Sequence, residues 1–531
     1  MKRLLRCLLA VSWVVPCAAQ GPLLLSQENV TAPASGKPNL GQHVAVGGDW
    51  CAASDSQGRV HLFHWVSGAW QLEQDLVGPG GQGFGAALAL DGETLAVGMT
   101  GAPWGGAPAG AVYVYRRTPA GFWQPEQILQ PNQAAPGDRF GAALALQAGR
   151  LLVGAPGQDR PGLLDAGAAY LFEQVGNQMV PAGILQASDG QPGDGFGSSV
   201  AYAGDLAVVG APWVDSSALN SGAVYVWREA AQGWTQEAKL VPLDPADQGT
   251  FGFAVATDSN LVVAGAPGGR IGGTVSGKGY VFAGGPSAWM QGNVLIPQQA
   301  RPLDRFGVSV ALGSTLIAVG SMGDDHALGI GAGSVTFFTE TGGYWLLNQL
   351  LTPAEVSALG YLGTSLALDA GRLILGAPGQ ADGAGSVLMY RVRNSIGSNL
   401  CGPAQPHSGG VPAHQYAYGS AQAASDDLVL LAAPLPAASF GVFLVGTGAQ
   451  SIPGYLGSQG TLCVAPPLGL FVGQAGPVAG DGILQAPITW SNLPGIGPAL
   501  VGQTYFFQAW FRDQNPGTTT NFSDALSVMV L

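Results

Sequence analysis

FGAALALQAGRLLVGAPGQDRPGLLDAGAAYLFEQVGNQMVPAGIL, residues 140–185, reads as four short strands separated by turns. The strand-like segments are Phe140 to Leu146, Leu151 to Ala155, Ala168 to Phe172 and Val180 to Leu185. Each is rich in apolar residues, and Gly, Asp and Pro punctuate the gaps. Its first segment puts Gly or Ala at nearly every other position. A strand so poor in bulk on one side suits a crowded centre.

The same unit recurs. Phe-Gly pairs begin at Phe84, Phe140, Phe196, Phe251 and Phe306, spaced by 56, 56, 55 and 55 residues. Leu362-Gly363 continues the series, and Leu40-Gly41 precedes it as a shortened first copy. A Gly follows 14 residues after each full start, at Gly98, Gly154, Gly210, Gly265, Gly320 and Gly376. Four of these open Gly-Ala-Pro. A third marker is Gly before an aromatic strand: GRVHLF from Gly58, GAVYVY from Gly110, GAAYLF from Gly167, GAVYVW from Gly222, GKGYVF from Gly277, GSVTFF from Gly333 and GSVLMY from Gly385. A Trp usually opens the fourth segment, as at Trp70, Trp123, Trp234, Trp289 and Trp345. Seven copies of a four-stranded unit predict an all-β chain with a seven-bladed β-propeller. The last copy lacks its fourth segment, and Leu23-Leu24-Leu25-Ser26 resembles the missing piece. Residues 22–27 are therefore expected to complete the seventh blade and hide its edge.

Composition agrees. The chain has 84 Gly and 37 Pro, 121 of 531 residues, with only 10% charged and 47% hydrophobic. That excludes long helices and charge-rich disorder. The net charge is −13, and −16 without Lys2, Arg3 and Arg6. A field of that sign repels polyanions, so nucleic acid is not an expected partner.

The Phe-Gly, Gly-Ala-Pro and aromatic-strand markers over residues 22–393 resemble the FG-GAP repeat. That repeat builds the seven-bladed head of integrin α subunits and of many secreted bacterial proteins. The resemblance implies an extracellular binding or adhesion module. Family members often carry an Asp-rich calcium loop between the first two strands. Here that connection is Gln147-Ala148-Gly149-Arg150, Ala203-Gly204-Asp205 or Asp258-Ser259-Asn260, with too few carboxylates for calcium's six to eight oxygens. No metal and no cofactor are expected, as in a calcium-free bacterial subgroup.

Lys2, Arg3 and Arg6 precede the apolar run Cys7 to Pro16, and Cys17-Ala18-Ala19 offers a cleavage site. Residues 1–19 read as a signal peptide, giving a secreted or surface protein. The propeller is assigned to residues 20–393. Residues 394–531 lack the period, and with Tyr505 to Phe511 as a strand they read as a small β-sandwich-like domain. Its Cys401, Cys463 and Trp510-Phe511-Arg512-Asp513 resemble an uncharacterised C-terminal domain of secreted bacterial proteins. Cys401 and Cys463 lie in the same region and form the candidate disulfide, whereas Cys51 reads as buried and free. Arg512 and Asp513 read as a loop salt bridge, and His407 and His414 as exposed. Leu428 to Gly446 is uncharged for 19 residues, but Pro434 and Pro436 interrupt it, so two strands and a turn fit better than a membrane span.

No P-loop, HExxH, CxxC or G-x-S-x-G motif occurs, and no catalytic residue is assigned. His61 and His64 sit three apart on a strand and face opposite sides, which makes them poor joint ligands. Asp138, Asp194 and Asp304 each stand two residues before a Phe-Gly and read as turn caps rather than a carboxylate ring. In a propeller the loops joining strands two to three and four to one share a face. Those loops hold Trp104, Asp159, Arg160, Asp165, Trp213, Asp215, Arg270, Asp324, Asp325, His326 and Asp382, the candidate ligand-binding residues. Two Trp with scattered carboxylates suit a glycan or protein ligand, against the plainer reading of solvated loops. The expected function is a secreted, non-enzymatic binding module, monomeric, recognising extracellular or surface material. The alternatives are a propeller-hosted polysaccharide hydrolase or lyase and a passive envelope or matrix protein.

Overall fold

The computed structural model describes residues 24–28, 38–80, 83–104, 107–131, 134–285, 288–341, 343–393, 398–400, 404, 413–418, 421–422, 428–433, 435–436, 439–478, 484–513 and 519–531. Leu25–Val392 form one compact unit, and Arg393–Leu531 belong to a second.

In the first unit every copy of the repeat is one four-stranded antiparallel sheet. Blade 1 is Val44–Gly47, Trp50–Ser54, Arg59–Val66 and Ala69–Val77. Blade 2 is Phe84–Asp91, Thr94–Met99, Ala111–Arg117 and Trp123–Leu129. Blade 3 is Ala143–Gln147, Arg150–Ala155, Ala168–Val175 and Gln178–Leu185. Blade 4 is Ser199–Ala203, Leu206–Ala211, Ala223–Ala230 and Gly233–Leu240. Blade 5 is Ala254–Thr257, Leu261–Ala266, Lys278–Gly285 and Ala288–Leu295. Blade 6 is Phe306–Leu312, Leu316–Ser321, Ser334–Thr341 and Tyr344–Leu351. Blade 7 has Ser365–Asp369, Arg372–Ala377 and Ser386–Arg393, and its outer strand is Leu24–Gln27 from the other end of the unit. First strands of neighbouring blades pack side by side all the way round, blade 7 against blade 1, so the ring is closed.

The sequence markers turn out to be one contact seen from its separate sides. In blade 3 the Gly of Gly-Ala-Pro, Gly154, lies against Gly197 of the next blade's Phe-Gly. A Cβ on Gly154 would stand 2.0 Å from the Gly197 carbonyl oxygen. Gly167, which opens the aromatic strand, bridges Phe196 of blade 4 and has φ +83°. The same bridge recurs between Gly385 and Leu40, where the ring closes. Phe140 is buried between blades 2 and 3, in one cluster with Val112, Leu129, Leu151 and Val153. Its ring meets Tyr170 edge-on at 5.3 Å.

One boundary differs from expectation. The first strand of blade 3 is Ala143–Gln147 and excludes Phe140. Gly141 takes φ +89°, which turns the chain and hands Phe140 to the neighbouring blade as a wedge. At the outer strands glutamines clamp adjacent blades. The Gln127 side chain donates to Met179 O at 2.9 Å and accepts from Met179 N at 2.8 Å.

The second unit is all-β as well. Ser398–Leu400, Thr519–Met529, Thr504–Asp513, Phe440–Gly446 and Gly469–Leu470 lie in that order in one sheet, with Gly476–Pro477 beside Phe440–Gly446. His414–Tyr418, Leu428–Ala433 and Leu484–Ile488 form a second sheet. Leu428, Leu430 and Ala432 of one sheet and Phe443, Phe507, Phe511 and Leu526 of the other share one core, as in a small sandwich. The long apolar run is thus two strands in different sheets. No helix among the described residues is long and apolar enough to cross a membrane.

Cys463 is disulfide-bonded. Cys401 lies outside the described residues, as does His407. Cys51 is buried and free. Arg512 and Asp513 end a strand rather than occupy a loop. Alternation separates them: Asp513 is buried, while Arg512 is exposed with its guanidinium 5.9 Å from the Phe440 ring centroid. His414 is half-buried rather than exposed. Its Nδ1 lies 2.9 Å from Asp524 Oδ2, and that hydrogen bond raises its pKa above the ordinary histidine value.

Candidate ligand cavity on the loop-bearing face

Strand alternation puts the loops between strands two and three, and between strands four and one, at the same end of every blade. Several of the candidate side chains there hold loop backbone. Asp159 Oδ1 accepts from Asp165 N at 2.9 Å. Asp215 Oδ1 accepts from Asn220 N at 2.7 Å, and Asp325 Oδ1 from Gly331 N at 2.7 Å. Arg160 donates to Ala187 O at 2.9 Å, and Arg270 reaches Gly273 O at 3.3 Å within its own hairpin. Trp213 is 37% exposed and lies over Gly195. Trp104 is in the two-residue strand Pro103–Trp104 and Asp382 in the short helix Gln380–Gly383. Their side chains lie outside what the structure describes.

Asp324 and His326 are different, because they line one cavity. It has a volume of about 220 Å³ and is also bounded by Asp304, Ser321, Ser334 and Thr336, with Arg301, Gln299 and Leu350 around them. Ser334 Oγ donates to Asp324 Oδ2 at 2.6 Å. His326 has Nε2 2.9 Å from Gly333 O, while its Nδ1 lies 3.3 Å from the Leu328 N–H. A tautomer with its proton on Nε2 serves both contacts. Arg301 Nη1 stands 3.9 Å from Asp324 Oδ1.

Three side-chain atoms of residues around this cavity are themselves buried and have no hydrogen-bond partner: Asp304 Oδ1, Ser321 Oγ and Thr336 Oγ1. Their residues are 2%, 2% and 0% exposed. Leaving a buried polar atom unpaired costs roughly 1–3 kcal/mol. Asp304 uses its other oxygen to cap its turn, accepting from Arg301 N at 2.7 Å. Burial, reinforced by the charges of Asp324 and Asp325, pushes its pKa up to about 6. Asp138 and Asp194 cap the equivalent turns in the same way, through Ala135 N and Gln191 N at 2.7 Å each.

The cavity has a local cause. The fourth residue of the aromatic-strand marker is Tyr113, Tyr170, Tyr225 and Tyr280 in blades 2 to 5. Those rings fill their blades, and Tyr170 and Tyr225 end in hydrogen bonds to Gln158 at 2.7 Å and Asp189 at 2.9 Å. Blade 6 has Thr336 there. Its flanking positions change too: Ser321 stands where blades 3 and 4 have Ala155 and Ala211, and Ser334 where they have Ala168 and Ala223. The sequence carried this signal in GSVTFF. A position-by-position comparison of the marker finds it; a search for catalytic motifs does not.

The same position in blade 1 is His61, a second departure. It is fully buried, with Nε2 3.1 Å from Asp55 Oδ2 and Nδ1 2.6 Å from Asp75 Oδ1. His64 instead stacks on Trp50 at 4.3 Å, on the other face of the strand. Among the described residues no three His, Cys, Asp or Glu side chains converge as a metal-binding group.

Residues 123–172, 182–227, 234–282 and 289–338 match the family model of the FG-GAP repeat. No curated protein matches the chain. Among solved structures, the chain is similar to the computationally designed Ika8 protein at 15% identity and TM-score 0.40, covering 69% of this chain and 100% of that one. It is also similar to a protein from Lactobacillus plantarum at 14% identity and TM-score 0.41, covering 60% of this chain and 86% of that one.

Proposed function

We propose that this chain, which carries four FG-GAP repeats on a β-propeller, is an exported, non-enzymatic recognition module. It binds extracellular or surface material, glycan or protein, through the loop-bearing face. The observation that carries this reading is the cavity on that face at blade 6, lined by polar and charged side chains that include Arg301, Asp324, His326 and Ser334. The bracing of Asp159, Asp215 and Asp325 into their own loops favours a preformed binding surface over acids free for catalysis. Export rests on the leader-like residues 1–19, and the disulfide at Cys463 suits an oxidising compartment.

The test is an array of polysaccharides and matrix proteins probed with the mature chain, residues 20–531, with and without EDTA. The expected result is a saturable hit that resists EDTA and weakens when Trp104 and Trp213 are replaced by Ala. An empty array would overturn the reading in favour of a passive matrix role.

A further inference from the structure

We infer that the loop-bearing face carries a docking row for an extended segment of a partner protein, rich in basic and aliphatic residues, with Leu164, Leu219 and Ile330 as its anchors. The inference rests on the recognition reading above and names the class of partner for that same face.

One device is used three times. In blades 3, 4 and 6 the loop joining strands two and three holds an aliphatic residue three positions before the glycine that opens the aromatic strand. These are Leu164, Leu219 and Ile330, before Gly167, Gly222 and Gly333. Each is tied on both sides through backbone. The N–H that follows it donates to an aspartate of the same loop: Asp165 N to Asp159 at 2.9 Å, Asn220 N to Asp215 at 2.7 Å and Gly331 N to Asp325 at 2.7 Å. Its own carbonyl accepts from the loop that leads into the next blade, from Gly193 N at 2.9 Å, Gln248 N at 2.7 Å and Leu359 N at 2.8 Å. Yet the three residues are 68%, 57% and 72% exposed. A single exposed Leu needs no explanation. Three at one position of the repeat, each on backbone held at two points, form a preorganised apolar series that repeats from blade to blade. An elongated occupant can follow such a series, whereas a small ligand meets one anchor only.

Charge selects the occupant. The three loops, residues 157–167, 212–222 and 322–333, and the loops bonded to them, 186–196, 241–251 and 352–362, hold ten acidic residues and one arginine, Arg160. Lys239 and Lys278 reach in from strands to pair with Asp189 and Asp244, and Arg301 stands 3.9 Å from Asp324. Among the described residues no cation pairs with Asp159, Asp165, Asp215, Asp247, Asp325 or Glu355. A basic segment meets these carboxylates favourably. A second copy of this chain, at net charge −13, is repelled, as is an anionic membrane. A glycan gains no hydrogen bond from Leu or Ile side chains. The seam between blades 5 and 6 breaks the series: Val275 is half-buried there, its carbonyl accepting from Leu303 N at 2.8 Å, and Arg270, Arg301 and Arg305 make the seam basic. The anchors on either side of one acidic stretch, Leu164 and Leu219, therefore hold a basic segment more strongly than Ile330 does.

The experiment is fluorescence anisotropy on residues 20–531 with three labelled peptides, repeats of Lys-Leu-Gly, Lys-Ser-Gly and Glu-Leu-Gly, in about 0.15 M salt. The variants are Leu164→Ser, Leu219→Ser and Ile330→Ser. Val175→Ser is the control, at an exposed position at the opposite end of blade 3. All four positions are exposed, so the melting curves should coincide with wild type. We expect saturable binding of the Lys-Leu-Gly peptide alone. It should weaken about fivefold with Leu164→Ser and with Leu219→Ser, less with Ile330→Ser and not with Val175→Ser. Equal binding of the Lys-Ser-Gly peptide would show charge acting alone and overturn the inference. So would the absence of peptide binding, or binding indifferent to the anchor substitutions. Capture of phosphatidylcholine vesicles that Leu164→Ser and Leu219→Ser abolish would overturn it in favour of a lipid surface. A hit in the polysaccharide and matrix-protein screen that ignores the anchor substitutions leaves the recognition reading standing without the docking row. Failure in both experiments removes both.

Discussion

At the residue scale, the same short motif has two outcomes. Asp138-Arg139-Phe140 and Asp304-Arg305-Phe306 are identical in sequence, and both aspartates cap their turns through a backbone N–H. That much was legible, because a carboxylate two residues before a left-handed turn has an obvious local partner. What surrounds the second oxygen was not legible from the motif, since it depends on residue 336, thirty-two positions away. The loop carboxylates show the same limit: their positions were readable, but their hydrogen bonds to Asp165, Asn220 and Gly331 are a matter of loop geometry. The consequence for Asp304 is measurable. Its folded-state pKa, about 6, lies above the ordinary aspartate value of 3.8, so the folded protein holds the proton more tightly than the unfolded chain. Stability from this residue is therefore highest below about pH 4 and falls as pH rises through 6. Asp304→Asn keeps the cap and removes the titration. Denaturation midpoints for both proteins from pH 4 to pH 7 should diverge in favour of Asn, by on the order of 1–3 kcal/mol across that window. Parallel curves would show that Asp304 ionises without cost.

At the scale of the element, the repeat was readable because its glycine markers are all backbone contacts. Gly154, Gly197 and Gly167 recur in register since two blades approach too closely there for any side chain, and Gly167 and Gly197 also need positive φ. Strand starts were less readable. Phe140 looks like the first strand residue, yet the turn at Gly141 places it between blades. The Arg512-Asp513 pair failed for a related reason: the strand Thr504–Asp513 runs longer than its aromatic core suggests, and its alternation splits neighbours to opposite faces. Gly154→Ala tests the seam directly. Its methyl group would lie 2.0 Å from the Gly197 carbonyl oxygen, backbone that cannot step aside without moving a blade. We expect a loss of roughly 1–3 kcal/mol or more. Gly183→Ala is the control, because its Cβ would meet only Leu171 Cδ1, at an ordinary 3.7 Å. It should stay within about 0.5 kcal/mol of wild type or gain slightly, as Gly to Ala in open, compatible backbone does. Equal losses from both substitutions would mean that the Gly154 contact sets no limit on blade spacing.

At the scale of the whole propeller, stability depends on a seam that no other blade pair has. Leu24–Gln27 covers the outer edge of blade 7, and the Glu28 N–H donates to Met389 O at 2.8 Å. The buried Glu28 carboxylate then crosses to blade 1, accepting from Trp70 Nε1 at 2.7 Å, with Arg391 Nε 3.6 Å away. Arg372 of blade 7 adds a second crossing. It donates to Gly48 O at 2.6 Å, pairs with Asp49 and lies over the Trp65 and Trp70 rings. Elsewhere the seams join blades of a continuous chain, through glycine contacts, glutamine clamps and side-chain crossings such as Trp289 Nε1 to Glu237 Oε1 at 2.6 Å and Arg150 to Tyr202 at 2.9 Å. Here the two ends of the propeller unit must find each other, which makes this seam the natural place for opening. Removing residues 24–28 leaves the Ser386–Arg393 strand without its edge partner and takes the carboxylate from the Trp70 indole. One unpaired buried donor costs roughly 1–3 kcal/mol, and lost strand pairing adds to it. The truncated chain should therefore melt several degrees lower and self-associate through the bare strand. Glu28→Ala should reproduce the part due to Trp70 alone, and Glu28→Gln, which keeps an acceptor, should lose less than Ala. Calorimetry with sedimentation on the three proteins separates these effects. A truncated chain that melts with wild type and stays at the same size would show that the other six seams hold the ring without help from its closing strand.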